Sequence, residues 1–169
     1  MKNEWDILYQ EADVLIEKNQ YKTALIKARK ALELAEQALD SDDPDILDML
    51  TKLAEIYEAL RQLKKAEPLY KRALTIAEKT YDSDNPEILF YVDNLGFNYY
   101  GQGKYEQAEP FFKRSLELHE KSNALDGALV SMSLANLAGL YRKMGNEKQA
   151  KEMDKRAAEI EAKIQAKKR

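Results

Sequence analysis

The sequence predicts an all-α protein, and three observations lead to that class. A 42-residue repeat fills the chain, and each repeat holds two segments with apolar residues at helical spacing. No segment of useful length alternates apolar and polar residues with the period of a strand. Because a helix pair of this size cannot bury its apolar face alone, consecutive pairs must stack on one another. We therefore predict an α-solenoid of four helix-turn-helix repeats.

The repeat is visible in motifs that recur 42 residues apart. Asp-Ser-Asp-Asp-Pro at 40–44 recurs as Asp-Ser-Asp-Asn-Pro at 82–86, and fourteen positions are identical between residues 43–84 and 85–126. Four periods account for the chain, and no Gly/Ser-rich linker interrupts it. We expect a single domain over 1–169, with repeats of about 1–42, 43–84, 85–126 and 127–169.

Each repeat contains the start and stop signals of two helices. In the third repeat Asn85 is suited to an N-cap, and Pro86 stands at the first helical position, where its missing N–H costs no hydrogen bond. Glycines at 101 and 103 end that helix. The same reasoning along the chain predicts helices over roughly 3–18, 22–39, 44–61, 64–80, 86–101, 104–121, 127–143 and 146–167.

Each repeat has apolar and small residues at the same positions, and this pattern, called the comb below, resembles the tetratricopeptide repeat. Leu-Ala/Gly-x-x-Tyr is followed nine residues later by Ala, and then by an aromatic and a small residue; the fullest examples span 53–73 and 95–115. The 42-residue period and the Asp/Asn-Pro entry resemble the longer variant of kinesin light chains and many bacterial proteins. The resemblance covers essentially the whole chain. It implies a right-handed superhelix of tetratricopeptide-like repeats that binds other proteins on its inner, concave surface.

Two carboxylates depart from this comb. Glu11 stands where later repeats have leucine, and Asp154 stands where repeats two and three have Tyr70 and Phe112. In the family the latter position packs onto a following repeat, and polar substitutions are typical of end repeats. We expect a complete array of four repeats, with the last helix as its cap.

Composition excludes several classes of function. Lys plus Arg total 27 against 30 for Asp plus Glu, a balance that argues against nucleic-acid binding. The absence of cysteine and the single histidine exclude disulfides, thiolate sites and multi-histidine metal centres. No signal-peptide pattern opens the sequence, and no uncharged run approaches the roughly 20 residues that span a bilayer. We expect a cytoplasmic protein with no cofactor and no contact with membranes.

Neither a metal site nor a catalytic residue is predicted. The acidic turns at 40–43 and 82–84 lack the glycine and glutamate of a calcium loop, so we interpret them as solvated turns with a helix cap. His119 stands in a polar stretch, and we interpret it as a solvated surface side chain. The sequence contains none of the motifs that carry enzymatic chemistry, and we expect no enzyme.

The candidate binding site comes from comparing the first helices of the repeats. Beside the core stripe of repeat three lies a second stripe that includes Phe90, Phe97 and Tyr100. Repeat two has acidic residues at the equivalent positions, so the fold does not require aromatic rings there. An exposed apolar patch with a polar rim usually marks a binding site.

Repeats three and four are therefore expected to form a peptide groove. An Asn amide both donates and accepts, which suits a peptide backbone. The asparagines that hold peptide backbones in kinesin light chains imply the same role for Asn94 and Asn136. In the alternative interpretation, the helix over 127–143 covers Phe90 and Phe97, and the asparagines bond to neighbouring helices. The predicted binding residues are Phe90, Asn94, Phe97, Tyr100, Met132, Asn136, Lys52 and Arg142.

Charge along the same stripe predicts the polarity of the ligand. In repeats one and two Lys52 is the only cation among five acidic residues, namely Asp6, Asp13, Asp48, Glu55 and Glu58. We expect a peptide with an apolar segment on repeats three and four and basic residues on repeats one and two. The predicted function is a noncatalytic interaction scaffold, monomeric rather than homo-oligomeric. The alternative is a self-associating structural or oligomerisation module that uses the same surface.

Overall fold

The structure is a computed structural model that describes residues 3–83, 85–122 and 127–167. These residues form eight α-helices and no strand, and each predicted helix is found with its ends within two residues of the prediction. The all-α helical-repeat class is thereby confirmed. The helices are α1 Glu4–Glu17, α2 Tyr21–Ala38, α3 Pro44–Ala59, α4 Leu63–Thr80, α5 Pro86–Gly101, α6 Tyr105–Lys121, α7 Gly127–Lys143 and α8 Glu147–Lys167.

The Asp/Asn-Pro entries act as the sequence predicts. The side chains of Asp43 and Asn85 each accept a hydrogen bond of 2.9 Å, from the backbone N–H of Asp45 and Glu87 respectively. The proline that follows each cap occupies the first turn of its helix, where no backbone donor is required. The two helices α3 and α5 therefore begin at residues fixed by local chemistry.

Every hairpin turns through a residue with positive φ at the same place in the repeat. These residues are Asn19, Arg61, Gly103 and Gly145, with φ between 58° and 76°. At each turn the N–H of the next residue donates to a carbonyl five residues back, as Gln62 does to Tyr57 at 2.8 Å. This is the bond of a Schellman motif, which satisfies the carbonyls at the end of the first helix.

The chain divides into two compact units, Met1–Asp82 and Ser83–Arg169. In unit 1, α1 packs on α2, α2 on α3 and α3 on α4; in unit 2, α5, α6, α7 and α8 pack in the same sequential way. The alanines at one comb position of the second helices are completely buried, as expected for close helix approach: Ala24, Ala66, Ala108 and Ala150. That the whole chain is a single domain stays a prediction.

The interpretation of His119 as a solvated side chain is wrong. The imidazole is only 3% exposed, and its Nδ1 shares a hydrogen bond of 2.7 Å with the hydroxyl of Ser133. His119 lies on the buried face of α6, seven and eleven residues after Phe112 and Ala108. The polar neighbours in sequence point to other faces of the helix and were therefore a misleading signal.

Candidate functional site

The aromatic stripe of α5 is open to solvent. Phe90 is 49% exposed and Phe97 is 46% exposed, while Asn94 and Tyr100 between and beyond them are half-buried. A half-exposed phenylalanine has gained only part of the free energy that full burial provides, which is roughly 25 cal/mol per Å² of apolar surface. This helix face can therefore gain further stabilisation by being covered.

A buried ring holds part of the stripe in place. The ring of Phe112 on α6 lies with its centroid 5.0 Å from that of Phe97 and 6.1 Å from that of Tyr100. The approach is close because position 96 is glycine: a Cβ built there would stand 2.9 Å from Phe112 Cε1. Offset and tilted aromatic pairs of this kind contribute about 0.5–1.5 kcal/mol beyond area burial. Phe97 and Tyr100 are thus brought together through Phe112.

Asn94 carries a buried donor with no acceptor. Its Nδ2 is covered, and among the described residues no hydrogen-bond partner is present for it. A buried unsatisfied donor costs about 1–3 kcal/mol, since the hydrogen bond to water is lost and not replaced. A hydrogen bond to an adjacent helix, the alternative considered above for this amide, is not made by Nδ2 within the described ranges.

The α7 residues of the predicted site lie beside α8. Met132 is 49% exposed and lines a groove of about 540 Å³ whose other wall includes Glu161 and Ile164. In the same groove the hydroxyl of Ser131 donates to Glu161 over 2.7 Å. Asn136, one turn further along α7, is half-buried. Helix α7, which carries Met132, packs on α6 and α8.

The two predicted cations are already engaged by carboxylates. Lys52 of unit 1 pairs with Asp13 over 2.5 Å, and its Nζ lies 5.3 Å from the centroid of the Tyr9 ring. Arg142 of unit 2 pairs with Asp154 of α8. Asp154, which departs from the comb, therefore has a partner within its own hairpin. Any ligand carboxylate at these places would have to displace an existing ion pair.

The charge around Lys52 is dominated by acids. Partial burial, followed by the nearby charge of Asp45, raises the pKa of Asp48 above its ordinary value. Burial likewise raises the pKa of Glu55, against the opposing effect of Lys52. Burial and these carboxylates together raise the pKa of Tyr9. An additional cation placed here would stabilise the ionised carboxylates, so this face of unit 1 favours basic groups.

Sequence reasoning missed a polar cluster in the core of unit 2. It consists of the His119–Ser133 pair and, close by, Asp93, which accepts a hydrogen bond from Ser115. Burial raises the pKa of Asp93, while Ser115 and His119 act in the opposite direction. The repeat register contained the signal: the positions equivalent to His119 are Ala35 and Ala77, and both are buried.

Metal and membrane sites are not found in the part of the chain that the structure describes. No group of three or more acidic or histidine side chains there could hold a metal ion. Asp84, part of the second acidic turn, lies outside the described residues. None of the helices over the described ranges has both the length and the apolarity needed to cross a bilayer.

The fold and site define a class of protein: an all-α helical-repeat protein whose hairpins pack through small residues and present aromatic and amide side chains on one helix face. The family model described as "Tetratricopeptide repeat" matches residues 6–79 and 87–161. The chain therefore belongs to the tetratricopeptide repeat family, which confirms the resemblance seen in the sequence. This is a general protein–protein interaction fold and is generally noncatalytic. No curated protein matches the sequence.

Several solved structures are similar to this chain in fold. BtubC (BKLC) from P. vanneervenii is 22% identical, with a TM-score of 0.84 over 97% of this chain and 67% of that one. The kinesin-light-chain TPR-like repeats of Podosopora anserina are also 22% identical, with a TM-score of 0.83 over 96% and 78%. A Rap protein complexed with Competence and Sporulation Factor is 21% identical, with a TM-score of 0.69 over 96% and 44%. At these identities the likeness concerns the fold.

Proposed function

We propose that the chain is a noncatalytic interaction scaffold, and that unit 2 binds an extended segment of another protein through the side chains of α5 and α7. The observation that supports this most directly is the exposure of Phe90, Phe97 and Met132, each nearly half open to solvent. Repeat two has Asp48 at the position of Phe90 and Met132, and Glu55 at that of Phe97. Folding therefore does not require apolar side chains at these positions, and we attribute them to binding.

In this proposal the asparagine amides orient the bound peptide, and the aromatic rings supply much of the free energy of binding. Asn94 and Asn136 are both half-buried and offer two amides one repeat apart, and each amide can both donate to and accept from a peptide backbone. Each such bond contributes about 0.5–1.5 kcal/mol net. Covering the exposed half of a phenylalanine adds roughly 1 kcal/mol, given about 1.5–3 kcal/mol for a whole side chain. The rings must therefore supply much of the free energy of binding.

The ligand we propose carries apolar and basic residues. On unit 1, Asp13, Asp48 and Glu55 surround one paired lysine, and partial burial already disfavours the ionised form of two of these acids. Lysine or arginine side chains would be attracted there, whereas an acidic ligand would be repelled. Lys52 takes part by holding Asp13, and Arg142 by holding Asp154 of α8, rather than by clamping a ligand carboxylate.

Selection from a random peptide library displayed on phage tests this proposal. We expect wild-type chain to enrich peptides with an apolar centre and flanking Lys or Arg. Binding of the enriched peptides should fall about fivefold for Phe97→Ala, which removes roughly 1 kcal/mol, and by a similar factor or more for Asn94→Ala/Asn136→Ala. The matched control is Ile26→Ala, which removes an exposed aliphatic side chain from α2 and should leave binding unchanged. Enrichment of acidic peptides, or equal binding by all variants, would refute the proposal.

Self-association through the same exposed rings is the second candidate, because an apolar patch suits another copy as well as a peptide. Sedimentation equilibrium at micromolar concentration separates the two. We expect a monomer. A stable dimer that Phe97→Ala disperses would assign the aromatic face to self-association instead.

A further inference from the structure

A second apolar face lies in unit 1, on α1 and α2, apart from the peptide face proposed above. It is a groove of about 480 Å³ lined mainly by apolar atoms, including those of Ile7, Val14 and Leu15. Ile7 is 48% exposed and Val14 is 47% exposed. The ion pair between Glu11 and Lys27, at 2.7 Å, lies in the same groove and leaves these side chains uncovered.

The repeat register identifies what this face is built to contact. Ile7 is equivalent to Met49 in α3 and to Ser133 in α7, and both of those are buried. Val14 is equivalent to Ile56 and Leu140, which are 1% and 0% exposed. The same positions are thus covered in later hairpins and open in the first.

In those later hairpins, the equivalent side chains are covered by the second helix of the preceding hairpin. In unit 1, α2 packs on α3, and in unit 2, α6 packs on α7. Two hydrogen bonds fix the register: His119 of α6 contacts Ser133 at 2.7 Å, and Tyr141 donates to Glu109 of α6 at 3.1 Å. Since Ser133 and Tyr141 are the equivalents of Ile7 and Leu15, an α2-like helix would meet both side chains of the open face.

Ion pairs between the second helices of consecutive hairpins stand at equivalent positions in the two units, two periods apart. Arg72 of α4 pairs with Glu36 of α2, and Arg156 of α8 pairs with Glu120 of α6 over 2.7 Å. The equivalent of these arginines in the first hairpin is Lys30, which is exposed and whose ammonium lies 3.2 Å from Glu33. A helix seated on the open face would bring an acid of its own to Lys30.

We propose that the α1–α2 face binds an amphipathic α-helix of a partner protein, seated as α2 is seated on α3. The partner helix carries a small residue over Ile7, as Ala35 stands at the equivalent place on α2, where the facing position holds the large Met49. An acid directly after that residue pairs with Lys30. Helix α8 of a second copy does not fit this description. Its residues in that register are Glu161, which already accepts from Ser131, and Ala162, which has no charge.

The chain's own α2 supplies the probe. A capped peptide of residues 20–39 titrated into the full chain should bind with one-to-one stoichiometry by calorimetry. Affinity should fall at least tenfold for Val14→Lys and for Lys30→Glu, both of which change exposed side chains and leave the core intact. Ile26→Ser is the matched control, because Ile26 is 69% exposed but does not line the groove.

A tethered form of the probe removes the dependence on peptide helicity, which is marginal at this length. Residues 1–42 placed ahead of the full chain preserve the 42-residue register and put the added α2 next to the original α1. We expect slower amide hydrogen exchange in the original α1, and loss of this protection when Val14→Lys is made in the covered hairpin. Unchanged exchange would overturn the proposal. A concentration-dependent dimer of the unmodified chain that Val14→Lys abolishes would give the face to a second copy and overturn it too.

Discussion

His119 fills, in the third hairpin, a position that Ala35 and Ala77 occupy in the first two. The exchange of a methyl group for an imidazole is matched on the facing helix, where Ser133 replaces Met49 of the second repeat. A large and a small side chain have changed places across one interface, and a hydrogen bond of 2.7 Å has been added. The pair shows how a repeat interface can become polar without losing its packing.

His119→Ala is expected to destabilise the protein by about 1–3 kcal/mol, because the Ser133 hydroxyl is then buried without its partner and a cavity remains. The double variant His119→Ala/Ser133→Ala should recover part of this loss, since removing both partners leaves no unsatisfied group. Urea denaturation of the wild type, the two single variants and the double variant measures the coupling. Strict additivity of the two single losses would contradict the role of the pair.

Glu55 gives a pH dependence whose sign follows from burial. Since its pKa is raised in the folded state, the ionised carboxylate is destabilising above that pKa and the penalty disappears as the pH falls through it. Glu55→Gln should therefore raise the melting temperature at pH 7, and the gain should shrink on acidification. Thermal melts between pH 7 and pH 4 measure this difference. A gain that grows toward low pH would be the opposite result.

At the scale of the helix, α5 depends on a glycine in its interior. Gly96 is unfavourable for helix formation by about 1 kcal/mol relative to alanine, yet it allows Phe112 to approach the α5 backbone closely. The same ring contacts Phe97 and Tyr100. Gly96 thus weakens the helix locally, but it lets Phe112 come close enough to position part of the aromatic face.

Gly96→Ala and Gly139→Ala form a matched pair that separates packing from helix propensity. At Gly96 the new Cβ would stand 2.9 Å from Phe112 and 3.1 Å from Cβ of Phe111, so overpacking of about 1–3 kcal/mol should exceed the gain in propensity. At Gly139 a Cβ would meet no atom of the described residues within 4 Å beyond the neighbouring backbone of its own helix, and we expect stabilisation by about 0.5–1 kcal/mol. Urea denaturation of both variants gives the two signs. Stabilisation by both substitutions would show that Phe112 yields readily.

For the molecule as a whole, the sequence periodicity predicted the fold, and the comparison of repeats predicted the candidate site. The helices were predictable because caps such as Asn85 and turn residues such as Gly103 act locally, and because the 42-residue period aligns four copies of the same pattern. The exposure of Phe90 and Phe97 followed from the acids at their equivalents in repeat two.

What the sequence did not reveal depends on contacts between helices. Predicting the burial of His119 requires comparing it with the buried Ala35 and Ala77 at the same repeat position, rather than judging it by its polar neighbours in sequence. The ion pairs that engage Lys52 and Arg142 join residues 39 and 12 positions apart, beyond the reach of local patterning. Binding itself, at the α5 and α7 side chains and at the α1–α2 face, stays a prediction that the experiments above decide.

The left-handed residue that closes each hairpin also bears on how such a chain can change in evolution. Because Asn19, Arg61, Gly103 and Gly145 adopt nearly the same backbone conformation at the same point of the period, cutting and rejoining a gene at any two of them leaves helix phase and turn geometry intact. Insertion or deletion of a whole 42-residue cassette is then a conservative genetic event. Array length can drift between descendants while each surviving interface keeps its chemistry.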